Sequence, residues 1–423
     1  AQYLELNRAI KRKFPHVLSV FGGAHPTYFP QMIEEEGVDA ICVGEGELAL
    51  AELAAAVERD EDPSAIGNLW VKRDGTIHRN PIRPLIEDLD TLPIPDHLLF
   101  LEATRKPPLH AIVMTSRGCP YSCSYCYNNA YKKLYAGKGR VVRRRSVDHV
   151  LPELRFLKEH GCRFIRFMDD VFTVSPDWIR EFSERYRREV GLPFSCLVRA
   201  DMITPEMARW LKEAGCHRIM MGIETGNERL RRDVFKRRMS TEQILAAGRA
   251  VRSAGIRLVT ANILAIPGGS FEEDWETVEL NMRVRPSYAS AALLQAFPGT
   301  EIHEMARDAG LLEEDNMAHI TTGGFGFAPS IRFDDERERR QVINLRYFFP
   351  LLMWFPWLKP VVRRLIKLPP NRLYETLYMV CFNIGTHLIA IPPRVGGPML
   401  VKKLAQRFIP SRARRPAPGV SKA

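Results

Sequence analysis

Thr115-Ser-Arg-Gly-Cys-Pro-Tyr-Ser-Cys-Ser-Tyr-Cys126 is the stretch of this 423-residue chain that decides its fold. Its cysteines, Cys119, Cys123 and Cys126, have the spacing C-x3-C-x2-C. Three thiolates this close can surround one inorganic cluster, and they are one short of the four that close a [4Fe-4S] site. The fourth iron then keeps an open coordination position, at which chemistry can occur. The apolar run that begins at Leu109 places this loop just after a strand, where parallel α/β folds carry their active sites.

Zinc binding and disulfide formation are the alternative roles for the cysteines, and both have less support. A structural zinc site needs a fourth cysteine or histidine at short spacing, and the first histidine after the motif is His149. An extracellular disulfide framework is not expected, because 8 cysteines in 423 residues are sparse. Five cysteines stand singly in apolar surroundings and are expected to be small core residues: Cys42, Cys162, Cys196, Cys216 and Cys381.

Strand-like and helix-like segments alternate regularly from residue 109 to about residue 295. The predicted strands are 110–115, 163–168, 194–199, 217–222, 257–265 and 288–295. Capping residues mark the helix boundaries between them, at Ser175, Thr204, Ser270, Gly215 and Gly255. Six β/α units in series imply a parallel sheet with right-handed crossovers. Because a complete barrel has eight units, we expect an α/β fold with a partial (β/α)6, TIM-like barrel that is open on one side.

The start of the chain predicts half of a doubly wound, Rossmann-like domain. Residues 17–21 and 40–43 read as short strands that end at glycines, with helices around them. Two strands are too few for a stable sheet, and the first residue is Ala rather than Met, so we expect an upstream part to be missing. Residues 61–108 are rich in Pro and Asp, and we expect an extended linker there.

Basic residues concentrate at the C-terminal end. The formal net charge is +11, yet residues 341–423 alone carry 14 Lys plus Arg and one acid, Glu375. Residues 1–340 carry 47 basic and 49 acidic groups, a net charge of −2. That part of the chain therefore gives no reason to expect nucleic acid, which binds to a basic face. No run of 18 or more uninterrupted apolar residues occurs, so no membrane-spanning helix is predicted.

Two interpretations of the C-terminal region are open. Helices are predicted at 336–349, 371–388 and 398–407, and residues 411–423 are expected to be disordered. The region can form a helical cap that packs on the barrel, which is the more usual role of amphipathic helices. Alternatively, it can contact an anionic membrane surface through bulky aromatic and basic residues. The residues of this second interpretation are Phe348, Phe349, Trp354, Trp357, Arg363, Arg364 and Lys367.

Several segments resemble motifs of one enzyme family, the radical S-adenosylmethionine (SAM) enzymes. The cysteine motif, with Tyr125 before its last cysteine, is similar to the family's cluster motif. Segments similar to later strand-end motifs are 167–173 (FMDDVFT), 199–204 (RADMIT) and 222–226 (GIETG). These belong to the branch that carries a cobalamin-binding domain ahead of the radical domain. Segments similar to the second half of that domain are 21–27 (FGGAHPT) and 43–47 (VGEGE). The resemblance covers about residues 17–300.

The resemblance implies a [4Fe-4S] cluster on the three cysteines, with SAM bound at the open iron and Tyr125 beside it. Asp169 and Asp170 follow the second barrel strand, where the family contacts the methionine amino group, although either acid could instead cap the next segment. Arg199 could clamp the methionine carboxylate. The alternative for Arg199 is an ion pair with Asp201.

Two further strand ends complete the expected SAM site. Glu224 leaves a buried strand and could accept hydrogen bonds from the ribose hydroxyls. The alternative is that it supports the turn at Gly226. The glycine-rich turn that contains Pro267 and Gly268 could let the backbone approach adenine closely.

For cobalamin, the resemblance implies that two glycine turns surround the nucleotide tail. The residues of these turns are Gly22, Gly23, His25, Pro26, Thr27, Gly44, Glu45, Gly46 and Glu47. The D-x-H-x-x-G signature that supplies an axial histidine to cobalt does not occur in this chain. Cobalamin is therefore an expected cofactor, while the axial ligand of its cobalt is left open.

The expected division of the chain follows from these segments. It comprises the C-terminal half of a cobalamin-binding domain (1–60), a linker (61–108), a radical SAM partial barrel (109–300), a helical C-terminal region (301–410) and a disordered tail (411–423).

The expected activity is cleavage of SAM to a 5′-deoxyadenosyl radical, with cobalamin-dependent methyl transfer to an unactivated carbon or phosphorus. The alternatives are a radical cyclase or rearrangement enzyme of the same architecture, and a non-catalytic iron–sulfur redox protein. Asp170, Arg199 and Glu224 favour an enzyme, because an electron carrier needs no polar set at successive strand ends. We expect a small-molecule or lipid-like substrate, a reductant such as ferredoxin or flavodoxin, and a cytoplasmic location. Peripheral contact at the inner face of the membrane is the alternative that the basic C-terminal region leaves open.

Overall fold

The structure is a computed structural model that describes residues 2–104, 109–312, 329–389, 391, 392, 394 and 395. Its strands are β1 (Val20–Phe21), β2 (Ala40–Cys42), β3 (Leu69–Arg73), β4 (Thr76–Arg79), β5 (Ala111–Val113), β6 (Ser116–Arg117), β7 (Arg143–Arg144), β8 (Ile165–Phe167), β9 (Phe194–Val198), β10 (Cys216–Glu224), β11 (Arg257–Leu264) and β12 (Tyr288–Leu293).

The α-helices lie before, between and after these strands. They are α1 (Gln2–Lys13), α2 (Ala24–Tyr28), α3 (Glu47–Glu58), α4 (His97–Thr104), α5 (Tyr127–Leu134), α6 (Val147–Glu159), α7 (Pro176–Glu189), α8 (Pro205–Glu213), α9 (Thr241–Ser253), α10 (Phe271–Val284), α11 (Glu301–Asp308), α12 (Glu336–Trp354), α13 (Lys359–Leu365) and α14 (Arg372–Ile384). Two π-helical turns occur, at Leu230–Val234 and Gly385–Ile389.

Six parallel strands form the main sheet, in the order β12-β11-β10-β9-β8-β5. The six predicted strands are confirmed, each to within two residues at either end. β5 and β12 are the two edges of the sheet, and they are not paired with each other among the described strands. The partial barrel is therefore open between β5 and β12, as six rather than eight units require.

The side of the sheet that faces the helices forms the main core. Alternate strand residues such as Phe167, Phe194 and Ile219 are fully buried there against the helices. The predicted caps are present: the Ser175 and Thr204 side chains each accept a hydrogen bond from the first helical turn that follows. Such caps satisfy backbone N–H groups that the helix itself leaves unpaired.

The N-terminal sheet has four strands rather than the two predicted. β1 pairs with β2 in parallel, and the hairpin of β3 and β4 adds to β2 in the antiparallel sense. The hairpin strands lie within 61–108, so the prediction of an extended linker is wrong for residues 69–79. The hairpin forms because it buries apolar side chains: Leu69 and Val71 pack in an apolar cluster with Ala40 and Leu53. The sequence did not predict this short strand pair because the flanking residues are rich in Pro and Asp.

The C-terminal helices pack on the barrel. Phe348 and Phe349 of α12 are 3% and 0% exposed, in a core cluster with residues of β12. The Trp354 indole N–H donates to the Ser287 carbonyl at 3.0 Å. The cap interpretation is confirmed for α12, and the buried Phe348 and Phe349 are not available to a membrane. Trp357, in contrast, is 72% exposed.

The two remaining C-terminal predictions lie outside the described residues. These are the helix at 398–407 and the disordered tail at 411–423. Among the residues that are described, no helix combines the length and the apolar character needed to cross a membrane.

Candidate active site

The loop that carries the three cysteines is held at both ends by short secondary structure. β6, at its start, pairs with β7, and Cys126 is the residue before the first turn of α5. Gly118 adopts a φ of +80°, and a Cβ there would lie 2.2 Å from the Val141 carbonyl oxygen. Only glycine fits this close approach without strain. The Lys132 ammonium group fixes the middle of the loop by donating to the Tyr121 carbonyl and the Ser122 hydroxyl, both at 2.7 Å.

Ser124 ties the same loop to the far side of the barrel. Its hydroxyl donates to the Val234 carbonyl at 2.6 Å, and its backbone N–H donates to the Phe235 carbonyl at 3.2 Å. The Ile302 N–H in turn donates to the Ser124 carbonyl at 2.9 Å. The segment between Cys123 and Cys126 is thereby fixed, as pre-organised ligands of a cluster need to be.

The cysteines have the state expected of cluster ligands. All eight cysteines of the chain are free of disulfides. Burial raises the pKa of the Cys126 thiol to about 11 and also raises the pKa of Cys119. A metal must therefore replace the proton for these residues to become thiolates. No set of three His, Cys, Asp or Glu side chains among the described residues is arranged to hold a single metal ion. The irons of a cluster accept ligands that do not converge on one ion.

Two buried guanidinium groups approach Cys123. Arg199 Nη1 lies 3.6 Å from Cys123 Sγ, and Arg237 Nη1 lies 3.9 Å from the same sulfur. The exposed fractions of the two residues are only 4% and 7%. Two positive charges at one sulfur fit an anionic group, such as a thiolate-ligated cluster, because a buried charge needs a counter-charge.

Arg199 makes contacts that are relevant to both roles that the sequence suggested for it, a clamp for the methionine carboxylate and an ion pair with Asp201. Its Nε donates to Asp201 Oδ1 at 2.8 Å, so the ion pair offered as the alternative role is formed. The guanidinium also lies 3.6 Å from the centre of the Tyr121 ring. Its Nη1 still reaches Cys123, so the ion pair orients Arg199 toward the cysteine loop instead of toward solvent.

Glu224, Tyr125 and Arg237 form a buried polar group beside the cysteines. Arg237 Nη1 donates to the Tyr125 hydroxyl at 3.2 Å and lies 3.8 Å from Glu224 Oε1. Burial raises the pKa of Glu224, while the charge of Arg237 opposes that rise. Burial alone would lower the pKa of Arg237, but Tyr125 and Glu224 hold it above its ordinary value. Glu224 also has a φ of +67°, which is unusual for this residue type and marks a constrained strand end.

Arg237 is the site residue that the sequence analysis missed. It lies in the basic run Lys236-Arg237-Arg238, whose first and last residues are exposed while Arg237 is buried. The only sequence signal is the apolar neighbours of the run, Phe235 and Met239, which are both buried. Alternation of this kind indicates that the central residue points inward, but it does not show which partners it meets.

The two adjacent aspartates have different positions. Asp169 is fully buried, and its Oδ1 accepts hydrogen bonds from the Thr115 N–H at 3.0 Å, the Thr115 hydroxyl at 2.7 Å and the Ser116 hydroxyl. These bonds anchor the start of the cysteine loop. Asp170 lines a large cavity, and burial raises its pKa. Of the two, Asp170 is the one placed to meet a bound ligand.

Pro267 and Gly268 line a different cavity from the one that Asp170 lines. They line a separate cavity of about 240 Å³ together with Asp274 and residues 331–334. The turn between them and β11 is held by Asp274, whose Oδ2 accepts from the Ala265 N–H at 2.9 Å. The structure therefore does not bring Pro267 and Gly268 into the cavity that Asp170 lines.

That larger cavity, of about 700 Å³, lies between the N-terminal sheet and the cysteine loop. From the N-terminal sheet its lining includes Gly22, Gly23, Thr27, Gly44, Glu45, Gly46 and Glu47. From the barrel its lining includes Met114, Arg117, Gly118, Asn128, Tyr131 and Asp170. A Cβ at Gly23, which has a φ of +90°, would meet nothing within 4 Å, so this turn leaves open space beside the cavity. A large ligand fits such a cradle.

Three of the expected cobalamin residues have other positions or partners. His25 and Pro26 do not line the cavity, and the ring of His25 packs on Phe29. The Glu45 carboxylate accepts from Arg117 at 2.8 Å and from Arg143 at 2.9 Å. Burial alone would raise the pKa of Glu45, but hydrogen bonds from Arg143 and Arg117 hold it below its ordinary value. Glu45 therefore joins the N-terminal sheet to the cysteine-bearing loop.

Taken together, the partial barrel, the three-cysteine loop and the adjoining cavity define a radical SAM architecture with a cobalamin-type domain. Comparison with known proteins gives the same result: residues 113–280 match the Radical SAM superfamily and residues 1–54 match the B12 binding domain.

Two relatives identify the family to which the chain belongs. The chain is 30% identical over 313 residues to the uncharacterized methyltransferase PH0819 of Pyrococcus horikoshii, covering 73% of this chain and 67% of the relative. It is 26% identical over 358 residues to cytidylyl-2-hydroxyethylphosphonate methyltransferase of Streptomyces wedmorensis, covering 73% of this chain and 64% of the relative. The chain belongs to the B12-binding radical SAM family. It spans about two thirds of the length of these two relatives.

The fold is shared with a solved member of the same architecture. The structure of the cobalamin-dependent SAM radical enzyme OxsB with aqua-cobalamin bound aligns with a TM-score of 0.65 at 17% identity. The alignment covers 96% of this chain and 65% of that one. The helical C-terminal region is thus included in the likeness.

Proposed function

We propose that this chain catalyses a radical SAM reaction in which cobalamin carries a methyl group to an unactivated carbon or phosphorus centre. The observation that carries the proposal is that the cysteine loop and the 700 Å³ cavity meet at Gly118 and Asp170. When bound, the [4Fe-4S] cluster supplies the electron that cleaves the sulfonium of SAM, and cobalamin supplies the methyl carrier. Two relatives of the chain are methyltransferases by name, which supports the transfer of a methyl group.

The residues of the chain have distinct roles in this proposal. Cys119, Cys123 and Cys126 hold the cluster, and Arg199 and Arg237 balance its negative charge from two sides of Cys123. Such fixed charges cost no reorganisation when an electron arrives. Lys132 and Ser124 keep the ligands in place, as their hydrogen bonds to the loop require.

SAM is held by strand-end groups around the same loop. Asp170 is positioned to accept from the ammonium group of the methionine moiety at the edge of the cavity. Glu224, oriented by Arg237 and Tyr125, is the proposed partner of the ribose hydroxyls. We assign Asp169 to anchoring the loop rather than to SAM, because its Oδ1 is already bonded to residues 115 and 116. Pro267 and Gly268, in the turn after β11, stay the proposed contacts of adenine, and the cavity that they line is not the one that Asp170 lines.

A radical cyclase of the same architecture is the second candidate. It is favoured by one relative, the anaerobic magnesium-protoporphyrin IX monomethyl ester cyclase of Rubrivivax gelatinosus, which is 25% identical over 370 residues. Deuterium transfer from SAM methyl-d3 to product separates the two candidates, because a cyclase product gains no methyl group.

The cluster is tested by anaerobic reconstitution. We expect about four irons and four sulfides per chain. Single replacement of Cys119, Cys123 or Cys126 by Ala should abolish the brown chromophore. Cys216→Ala is the matched control, because Cys216 is a free cysteine buried in the barrel core away from the loop. Stoichiometric zinc without iron, in protein made under iron-replete anaerobic conditions, would overturn the assignment.

The two cofactor steps are tested separately. With reductant, we expect the protein to form 5′-deoxyadenosine from SAM even without substrate. Glu224→Gln should weaken SAM binding by about 1–3 kcal/mol, as expected for loss of a charged hydrogen bond. Cobalamin binding is followed by its visible spectrum, and bulky replacement of Gly23 should reduce it. SAM cleavage without any cobalamin binding would refute the methyl-transfer proposal while leaving radical chemistry intact.

The expected partners follow from the chemistry. A low-potential electron requires a reductant, and we propose a ferredoxin or flavodoxin in the reducing cytoplasm, where free cysteines persist. We also propose contact with a membrane, made by an exposed rim of the C-terminal cap. There Trp357 and Leu373 are each 72% exposed, close in sequence to Arg364 and Lys367. A lipid-like substrate would fit such a location.

A further inference from the structure

Three polar residues form a row across neighbouring barrel strands, below the proposed SAM site. Arg166 on β8 and Arg218 on β10 each pair in register with Ser195 on the strand between them, β9. Strand neighbours are about 4.8 Å apart, so the two arginine backbones lie roughly 10 Å apart on either side of the serine.

The row faces the lumen of the partial barrel. The residues before and after Arg166, Ile165 and Phe167, are buried in the core on the helix side. The same holds for the residues that flank Ser195. Because side chains alternate along a strand, Arg166 and Ser195 point to the opposite face, which is the lumen. Arg218 joins them there, since its Nη2 donates to the Ser195 hydroxyl at 3.2 Å.

The two guanidinium groups lack the counter-charges that buried cations need. Arg218 is only 7% exposed, and its Nε is buried without a hydrogen-bond partner. The Nε of Arg166 is also buried and without a partner. Neither arginine forms an ion pair with a carboxylate of the described residues. Burial, followed by the charge of Arg166, lowers the pKa of Arg218 to about 10. Burial and then Arg166 also lower the pKa of nearby His110.

An arrangement of this kind is unfavourable unless an anion completes it. Uncompensated buried charge is strongly disfavoured, and here two like charges share one wall of the lumen. The Ser195 hydroxyl can donate to the same anion while it accepts from Arg218. Arginine pairs readily with carboxylate and phosphate groups through parallel N–H donors.

The strand next to Arg166 carries exposed apolar side chains. Ile112 of β5 is in register with Arg166, and it is 57% exposed although its neighbours on the strand are buried. Met114, two residues further on, is 49% exposed and also lines the large cavity. The lumen wall thus offers an apolar strip beside the cationic row. A ligand that enters between β5 and β12 would meet both.

The distance between the row and the cysteine loop is one that a single substrate molecule can span. Ser195 lies on β9 and Arg199 directly follows the last residue of that strand, so their separation of four residues corresponds to about 13 Å of extended backbone. Arg199 Nη1 lies 3.6 Å from Cys123 Sγ. An anion on the row would therefore lie roughly 13 Å below the cysteine loop, within the span of one extended small molecule.

We propose that Arg166, Arg218 and Ser195 form an anion site that binds a phosphate, phosphonate or carboxylate group of the substrate. The substrate is then an anionic molecule with an apolar part that lies against Ile112 and Met114. The assignment to substrate rests on the proposed function, whereas the anion site itself does not.

Thermal unfolding with and without anion tests the site. In wild-type protein, inorganic phosphate should raise the Tm more than chloride at equal ionic strength. Arg218→Met and Arg166→Met should abolish that difference. Both variants should unfold at or above the wild-type Tm in chloride, because an unpaired buried charge is removed. Arg232→Met is the control, since Arg232 is exposed and paired with Asp233, and it should retain the phosphate effect. A phosphate effect that survives in Arg218→Met, or that is absent in wild type, overturns the site.

A second binding experiment tells a substrate site from a site for free phosphate. Hexyl phosphate should bind wild-type protein about tenfold more tightly than inorganic phosphate, as burial of two methylene groups would give. Ile112→Ser should reduce that preference without altering the affinity for inorganic phosphate. Equal affinity for the two probes would overturn the assignment to substrate. Formation of 5′-deoxyadenosine is measured on the same proteins: if wild type forms none, the proposed function fails while the anion site stands on its binding data.

Discussion

Asp274 at the start of α10 predicts a pH dependence of stability that one substitution should remove. The carboxyl group is 3% exposed, and burial raises its pKa from 3.8 to about 8. The Ala265 N–H, at 2.9 Å, opposes that rise only in part. Asp274 therefore holds the turn that leads from β11 to Pro267 and Gly268, and it does so as a mainly neutral acid at pH 7.

The magnitude follows from proton linkage. Because the pKa is higher in the folded than in the unfolded chain, the folded state binds more protons. The stabilisation by Asp274 is then complete below about pH 4 and is lost as the pH rises toward 8. A difference of about four pH units corresponds to roughly 5–6 kcal/mol, at about 1.4 kcal/mol per unit. Relaxation around an ionised carboxylate makes this an upper bound.

Asp274→Asn retains the shape of the side chain and can keep the bond from Ala265, but it cannot ionise. We expect urea unfolding to give similar free energies for variant and wild type near pH 5. The variant should become more stable by several kcal/mol at pH 8. Asp74→Asn is the control, because Asp74 is 94% exposed at its side chain and should leave the pH profile unchanged. Parallel curves for Asp274→Asn and wild type between pH 5 and 8 would refute the reasoning.

Three further changes test the site and the cap. Arg237→Met should lower the free energy of unfolding in urea by about 3–5 kcal/mol, because it leaves Glu224 buried without its partner. Adding Glu224→Gln should recover most of that loss. Equal losses with and without Glu224→Gln would show that the two residues are not coupled. Lys132→Met should speed the loss of iron to a chelator while the neighbouring Lys133→Met does not, because of these two lysines only Lys132 is seen to donate to the cysteine loop; equal rates would remove it from the site. If the exposed rim binds membrane, Trp357→Ser should lower cosedimentation with anionic vesicles at low salt, and binding should weaken at 0.15 M salt as charges are screened; absence of binding at any salt would leave the region as a cap alone.

The sequence predicted the features that depend on local pattern. The six barrel strands and their caps at Ser175 and Thr204 follow from alternation and capping chemistry, which act over a few residues. The C-x3-C-x2-C loop is likewise a local signal. The β3–β4 hairpin was missed because its strands are short and lie between Pro- and Asp-rich segments, and it is stable only through contacts with β2.

The site roles that the sequence could not assign depend on long-range contacts. Arg237 resembles its basic neighbours in sequence, and only the fold brings it to Cys123, which is 114 residues away. Asp169 and Asp170 are adjacent in the chain, yet one anchors the loop and the other faces the cavity, because consecutive residues at a strand end point in different directions. Pattern alone cannot assign such roles.

The Glu45 ion pairs couple the two halves of the proposed active site. Arg117 belongs to the strand that leads into the cysteine loop, and Arg143 belongs to the strand paired with it. A single carboxylate from the N-terminal sheet therefore fixes both strands, and Arg143 is almost fully buried in doing so. Because the cavity wall is shared by Glu45 and Arg117, any shift of the N-terminal sheet would change the cavity and the start of the cysteine loop together. In the proposed function the methyl carrier and the site of radical formation belong to these two parts of the chain, and the Glu45 ion pairs hold the two parts together.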